Sequence, residues 1–102
     1  MTYFIETFDK PGHQGTRQAL RPAHLAFLES NARRLLACGA KLHEDGSDVG
    51  GGIYVITAAT REEARDFIEA DPFFQGDLFA EIRITRWRKA YVDGVCHLQE
   101  AA

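Results

Sequence analysis

The pattern of hydrophobic and polar residues divides the chain into four extended stretches and two amphipathic ones. Residues 3–9 are rich in aromatic and β-branched side chains, and residues 53–58 form the most strongly apolar run; both patterns predict β-strands. A shorter and weaker strand is predicted at 41–44, and alternation over 82–87 predicts a last one. The strands are separated by turn signals or by helical spacing.

The two amphipathic stretches predict helices. The first is expected to begin near Pro22, whose missing N–H costs nothing in an opening turn, and to run until Gly39 ends it. A start near Thr16, with the proline in a distorted opening turn, is the alternative. Residues 60–63 have the Thr-x-x-Glu pattern of a capping box at the start of the second helix. This helix is expected to end at Asp71, because a proline follows.

The resulting order, β-α-β-β-α-β, predicts an α+β fold of the ferredoxin-like type, with an antiparallel sheet and both helices on one face. Residues 3–5 and 53–56 are apolar on both faces of their strands, although two helices cover only one face. We therefore predict a homodimer that packs through the uncovered sheet faces. The alternative is that the C-terminal tail, from Lys89 onward, folds back over the sheet. A single domain is expected, with a core at about 1–88 and an extension at 89–102.

Composition excludes several classes of partner. The chain has 102 residues, of which 45% are hydrophobic and 26% charged, as in an ordinary soluble domain. Its net charge of −3 is spread over mixed signs and offers no surface typical of nucleic-acid binding. No apolar run is long enough to cross a membrane, and the first residues lack the pattern of a secretory leader. The predicted location is the cytoplasm.

Two short motifs carry the candidate chemistry. Arg-Pro-Ala-His at 21–24 opens the predicted first helix, and Asp-Pro-Phe at 71–73 closes the second. A helix N-terminus disfavours the charged form of His24, and a helix C-terminus disfavours the carboxylate of Asp71, so each is expected to need the other. Asp71 would fix the ring tautomer and leave one nitrogen for proton transfer. The alternative is a helix-ending Asp71 and a packed surface His24.

Other residues are candidates for binding a substrate. Arg21 lies one turn before His24 and can bind an anionic oxygen of a phenolate, enolate or carboxylate; the alternative is that it only pairs with Asp71. Arg17 is a weaker candidate of the same kind, and His13, in the loop after the first strand, is expected to border the same cleft. Phe73 can form the wall of a pocket for a planar ring, although aromatic residues are often plain core.

No cofactor or metal is expected. The four histidines and two cysteines have no zinc-ligand spacing, and the glycine run at 50–52 lacks the context of a dinucleotide or phosphate loop. That run is interpreted as a flexible hairpin loop. Cys38 and Cys96 are far apart in the chain and are predicted to be free thiols.

Several of these segments together resemble the YciI-like proteins. The resemblance covers about 1–88 and is carried by the motifs at 21–25, 50–55, 60–64, 71–73 and 76–79. It implies a dimeric α+β barrel of ferredoxin-like subunits, with His24 and Asp71 as the active site. It also implies chemistry of aromatic catabolism, namely dehydrochlorination of a chlorinated hydroxyhydroquinone, or isomerisation as in related muconolactone-type barrels. The tail from Tyr91 onward extends beyond the usual last strand.

Two functions of different classes follow. The first is a small cofactor-independent lyase or isomerase, in which His24 and Asp71 transfer protons on a cyclic or aromatic substrate. The second is a non-catalytic dimeric module that binds a small metabolite or a protein partner through the same cleft.

Overall fold

A four-stranded antiparallel sheet carries the helices in the computed structural model, which describes residues 1–99. In chain order the elements are β1 (Thr2–Asp9), α1 (Gln14–Ser30), β2 (Leu35–Leu42), β3 (Asp48–Thr57), α2 (Arg61–Glu69), α3 (Pro72–Gln75), β4 (Phe79–Trp87), β5 (Tyr91–Val92) and β6 (Val95–Cys96). The strand order is β2-β3-β1-β4, and β5 and β6 form a separate hairpin. This confirms the predicted ferredoxin-like topology.

The register of the central strands places the core on one face of the sheet. Ile5 of β1 lies between Tyr54 of β3 and Ile84 of β4, and all three side chains are buried. They pack against Ala64, Phe67 and Ile68 of α2, with Phe27 and Leu28 of α1 at the edge of the cluster. Alternation sends the intervening side chains to the opposite face, where Phe4, Phe8, Ile53 and Val55 remain half-buried.

The main prediction for the first helix is wrong at both ends, whereas the alternative start near Thr16 is close to the observed one. α1 begins at Gln14 and ends at Ser30, so Pro22 lies inside the helix and not in its opening turn. Proline has no N–H to donate to the carbonyl of Gln18. At the other end, the Asn31 side chain donates to the Phe27 carbonyl at 2.8 Å, and the backbone N–H of Asn31 also turns back to the helix.

The second and third strands are longer than predicted. β2 begins at Leu35 because the segment assigned to the helix instead pairs with β3, as shown by Cys38 opposite Tyr54. β3 begins at Asp48 and includes the glycines that were predicted to form a loop. Gly51 has φ of 139°, and a Cβ there would clash with the carbonyl oxygen of Thr7. The glycine is therefore required by close backbone approach within the sheet.

The start of α2 follows the predicted capping box. The Thr60 hydroxyl accepts from the Glu63 backbone N–H at 3.1 Å, and the Glu63 carboxylate accepts from the Ala59 N–H at 3.2 Å. The helix ends at Glu69, two residues earlier than predicted. A new short helix, α3, follows from Pro72.

The tail after β4 forms its own hairpin. Asp93 and Gly94 both have positive φ, at 49° and 79°, which is the geometry of a type I′ turn. Three apolar side chains in and after the hairpin, Tyr91, Val95 and Leu98, are exposed. The described part of the tail therefore does not bury these side chains, and residues 100–102 of the predicted extension lie outside the described residues. No helix within residues 1–99 is long and apolar enough to cross a membrane.

Candidate active site

The two residues of the predicted acid–base pair are in direct contact. His24 Nδ1 lies 2.9 Å from both carboxylate oxygens of Asp71, and both residues are buried. Because an ionised carboxylate only accepts hydrogen bonds, Nδ1 carries the proton and Nε2 is the remaining basic nitrogen. His24 lies in the middle of α1 and not in its first turn. The prediction that a helix N-terminus disfavours the charged form of this ring is therefore wrong.

Asp71 begins a helix and does not end one. Its side chain accepts from the backbone N–H of Phe73 at 2.9 Å and caps α3, whose first residue is Pro72. The predicted electrostatic penalty of a helix C-terminus is thus reversed, since a carboxylate is favoured at an N-cap. Asp71 has no exposed surface, so these donors replace water around its charge.

Tyr54 is a third member of this cluster, which the sequence analysis did not identify. Its hydroxyl donates to Asp71 Oδ2 at 2.7 Å, and its ring meets the His24 ring edge to face, with centroids 6.1 Å apart. Burial, followed by the charge of Asp71, raises the pKa of the phenol far above its ordinary value. The signal in the sequence was a tyrosine on the core face of β3, because a buried hydroxyl needs a polar partner.

Phe73 and Arg17 support the imidazole from one side. The Phe73 ring stacks on His24 with centroids 3.9 Å apart, and the Arg17 guanidinium lies 4.6 Å from the centroid of Phe73. Arg17 also donates to both oxygens of Asp9, at 2.6 and 3.1 Å, and both of these side chains are largely buried. The charge of Arg17 is therefore already compensated, so it is better suited to holding Phe73 than to binding an anion.

A cavity of about 200 Å³ opens beside the imidazole. α1 contributes Arg17, Arg21, His24, Leu25 and Leu28 to its wall, and β2, β3 and Phe73 complete it. A cavity of roughly 150 Å³ is known to hold benzene. The space therefore suits one substituted six-membered ring.

Arg21 supplies an uncompensated positive charge at this cavity. Its side chain is exposed, and it forms no ion pair within residues 1–99. The alternative pairing with Asp71 is not formed, because the Asp71 oxygens accept from His24, Tyr54 and Phe73. Arg21 is thus free to meet an anionic group in the cavity.

The remaining candidates contribute less. His13 is not among the residues that line the cavity, and its Nδ1 lies 2.9 Å from the Pro11 carbonyl. Cys38 is an exposed free thiol at the cavity wall, where partial desolvation by surrounding atoms, with a smaller effect of Asp71, raises its pKa to about 11. It is therefore a neutral thiol at neutral pH. In the described part of the chain, no group of three His, Cys, Asp or Glu side chains is placed to hold a metal ion.

Fold and site together define a ferredoxin-like α+β domain with a His–Asp pair in the wall of a ring-sized cavity. The chain belongs to the YCII-related domain family, whose sequence model matches residues 1–88.

Several known proteins are similar to this chain. Protein YciI of Escherichia coli is 28% identical over 98 residues, which cover 89% of this chain and 100% of that protein. Protein YciI of Shigella flexneri has the same identity and coverage. Among solved structures, the 5-chloro-2-hydroxyhydroquinone dehydrochlorinase TftG of Burkholderia phenoliruptrix, in complex with 2,5-dihydroxybenzoquinone, is 32% identical with a TM-score of 0.79. The match covers 86% of this chain and 94% of TftG.

Proposed function

We propose that this protein is a cofactor-independent enzyme that transfers protons on a small cyclic or aromatic substrate, as a dehydrochlorinase-type lyase or an isomerase. The observation that carries the proposal is the contact of His24 Nδ1 with Asp71 at 2.9 Å in the wall of the cavity. This contact commits one ring nitrogen and leaves Nε2 as a base. The similarity to TftG, a dehydrochlorinase solved with a dihydroxybenzoquinone, supports a hydroxylated six-membered ring as the substrate class.

The first step is removal of a hydroxyl proton. Nε2 of His24 takes a proton from a phenolic or enolic O–H of the substrate, and the resulting oxyanion lies near Arg21. Asp71 stays ionised and stabilises the imidazolium that forms, as a carboxylate does beside a catalytic histidine. Return of the proton from Nε2 to a ring carbon gives the keto tautomer. This sequence alone is an isomerisation.

Elimination follows when that ring carbon bears chlorine. Loss of a second hydroxyl proton supplies the electron pair that forms the new carbonyl, and chloride leaves with the electron pair of the C–Cl bond. The net change is loss of HCl and formation of a quinone, so no oxidant is required. The base for the second proton is again Nε2, because it has returned to its neutral form.

The proposal is tested by a turnover screen on chlorinated trihydroxybenzenes and related lactones. Chloride release and quinone absorbance are measured for the wild type and for His24→Ala. His43→Ala is a matched control, because His43 is exposed in the β2–β3 turn and does not line the cavity. Tight binding of these rings without turnover by the wild type would refute the enzyme and favour the non-catalytic binding module.

We expect Arg21→Ala to raise KM about five- to tenfold with a smaller change in kcat. The reason is that the guanidinium donates to the same substrate oxygen before and after that oxygen loses its proton, and loss of one charge-assisted hydrogen bond has about this cost. Steady-state kinetics measure the effect. Arg65→Ala is the matched control, since Arg65 lies on α2 and pairs with Glu69. An unchanged KM would remove Arg21 from substrate binding.

We also propose that the uncovered sheet face forms a homodimer interface. Val55 and Phe4 lie opposite each other on this face. The centroid of the Phe8 ring lies 3.7 Å from Lys41 Nζ and 4.9 Å from Arg83 Cζ. Sedimentation at micromolar concentration is expected to give the mass of a dimer. Val55→Asp would place an unpaired charge in the interface and give a monomer, whereas Arg65→Glu on the helical side would not. A monomeric wild type would contradict the proposal.

A further inference from the structure

The hydrogen bond from Tyr54 to Asp71 has a geometry that bears on proton transfer. Asp71 Oδ2 accepts from the Tyr54 hydroxyl at 2.7 Å, and Oδ1 accepts from the Phe73 N–H at 2.9 Å. His24 Nδ1 contacts both oxygens. The carboxylate charge is therefore shared among three donors, of which only the imidazole takes part in the proposed reaction.

We propose that Tyr54 is a positioning residue that sets the proton affinity of the His24 ring by holding and partly neutralising Asp71. Its hydroxyl acts through the carboxylate and is not the group that reacts with substrate. The kinetic side of this inference rests on the proposed function, whereas the effect on the imidazole titration does not.

The direction of the effect follows from charge sharing. A hydrogen bond to a carboxylate stabilises its negative charge and weakens its attraction for another cation. Without the Tyr54 hydroxyl, Asp71 Oδ2 would have His24 alone as its donor. The imidazolium would then be held more tightly, and the His24 ring would keep its proton to a higher pH.

Tyr54 is suited to this role because it is fixed and stays protonated. Its strand is paired on both sides, with Ile5 of β1 and Cys38 of β2 opposite it. Its ring also packs edge to face on Phe67, with centroids 6.2 Å apart. Burial and Asp71 keep the phenol protonated over the working pH range, so it remains a donor to the carboxylate.

We expect the other charged and titratable groups near the pair to keep their state when the hydroxyl is removed, because the hydroxyl donates to Asp71 and not to them. On α1, Arg17 remains paired with Asp9 at the end of β1, and Arg21 remains exposed at the cavity. On β2, Cys38 remains a neutral thiol. A change in the His24 titration on Tyr54→Phe therefore reports the lost hydrogen bond.

The test is the titration of the His24 ring nitrogens, followed by NMR in ¹⁵N-histidine-labelled protein. We expect Tyr54→Phe to move the midpoint upward by about half to one pH unit. Tyr3→Phe is the matched control. It removes a hydroxyl from another buried tyrosine of the same sheet and should leave the midpoint of the His24 titration unchanged. In an Asp71→Asn background, Tyr54→Phe should have no further effect, because the path through Asp71 is gone.

Two outcomes would overturn the inference. One is an unchanged midpoint in a Tyr54→Phe protein whose circular dichroism matches the wild type. The other is an equal shift in the Asp71→Asn background. If Tyr54→Phe does not fold, replacement of Tyr54 by 3-fluorotyrosine strengthens the hydrogen-bond donor and should move the midpoint of the His24 titration downward. An unchanged midpoint in that protein would also overturn the inference.

Kinetics separate this inference from the proposed function. With an identified substrate, the acid limb of kcat/KM in Tyr54→Phe should move upward with the NMR midpoint, so that activity is lost first at low pH. A shifted titration in a protein without turnover would leave the inference standing and remove the enzyme. Turnover that depends on His24, with an acid limb that does not move in Tyr54→Phe, would support the enzyme and overturn the inference about Tyr54.

Discussion

Replacement of His24 by alanine is expected to lower kcat/KM on an identified substrate by about 10² to 10⁴, which is the usual contribution of a positioned general base. The cavity offers no substitute in the described part of the chain. Tyr54 and Cys38 are held in their protonated forms, and the oxygens of Asp71 are occupied by donors. Steady-state kinetics measure the loss, with circular dichroism as the check of folding.

His43→Ala provides the comparison for this result, because it removes an imidazole that does not line the cavity. It should retain the wild-type rate. If His24→Ala also retained that rate, with unchanged circular dichroism, the base would lie elsewhere and the proposed mechanism would fail.

Asp71→Asn is expected to reduce turnover by about 10⁴, as the same replacement does in the serine-protease triad. The amide oxygen can still accept from the Phe73 N–H and cap α3, which leaves the NH₂ group facing His24 and Tyr54. An NH₂ group only donates, so it favours His24 Nδ1 as an acceptor, with the ring proton on Nε2, in competition with the amide oxygen that also lies 2.9 Å from Nδ1. The nitrogen that serves as the base is then already protonated.

The tautomer of His24 and the rate should therefore change together in Asp71→Asn. ¹⁵N chemical shifts of the ring identify the protonated nitrogen, and thermal unfolding shows whether the cap survives. Asp71→Ala, which loses both the cap and the orientation, should be less stable than Asp71→Asn. Full turnover with Nδ1 still protonated in the asparagine variant would show that Asp71 does not orient the base.

Local patterns predicted the order of the elements but not all of their limits. Residues 35–38 have helical spacing, yet they belong to β2 because β3 offers pairing partners to Leu35, Ala37 and Cys38. Pro22 was taken as a helix start, although Gln14 to Ser30 form one helix around it. The surrounding packing offsets the missing hydrogen bond, and such tertiary compensation has no signature in the sequence.

The site was predictable where a short sequence motif contained the residues that meet. His24 and Asp71 meet as expected, and Phe73 lies against the imidazole. Arg17 was predicted to bind an anionic group of the substrate because the sequence did not show its pairing with Asp9, which ends β1. Tyr54 was missed because its apolar neighbours on β3 marked it as core, and only the three-dimensional arrangement shows where its hydroxyl points.

The double duty of Asp71 has a consequence for the evolution of such chains. Its carboxylate holds the first turn of α3 as well as His24, so a descendant that no longer met its substrate would still retain the aspartate to preserve the fold. His24 has no comparable duty to the backbone and would be free to drift. Among domains of this architecture, the histidine would therefore distinguish an active enzyme from a related protein without activity, whereas the aspartate would be found in both.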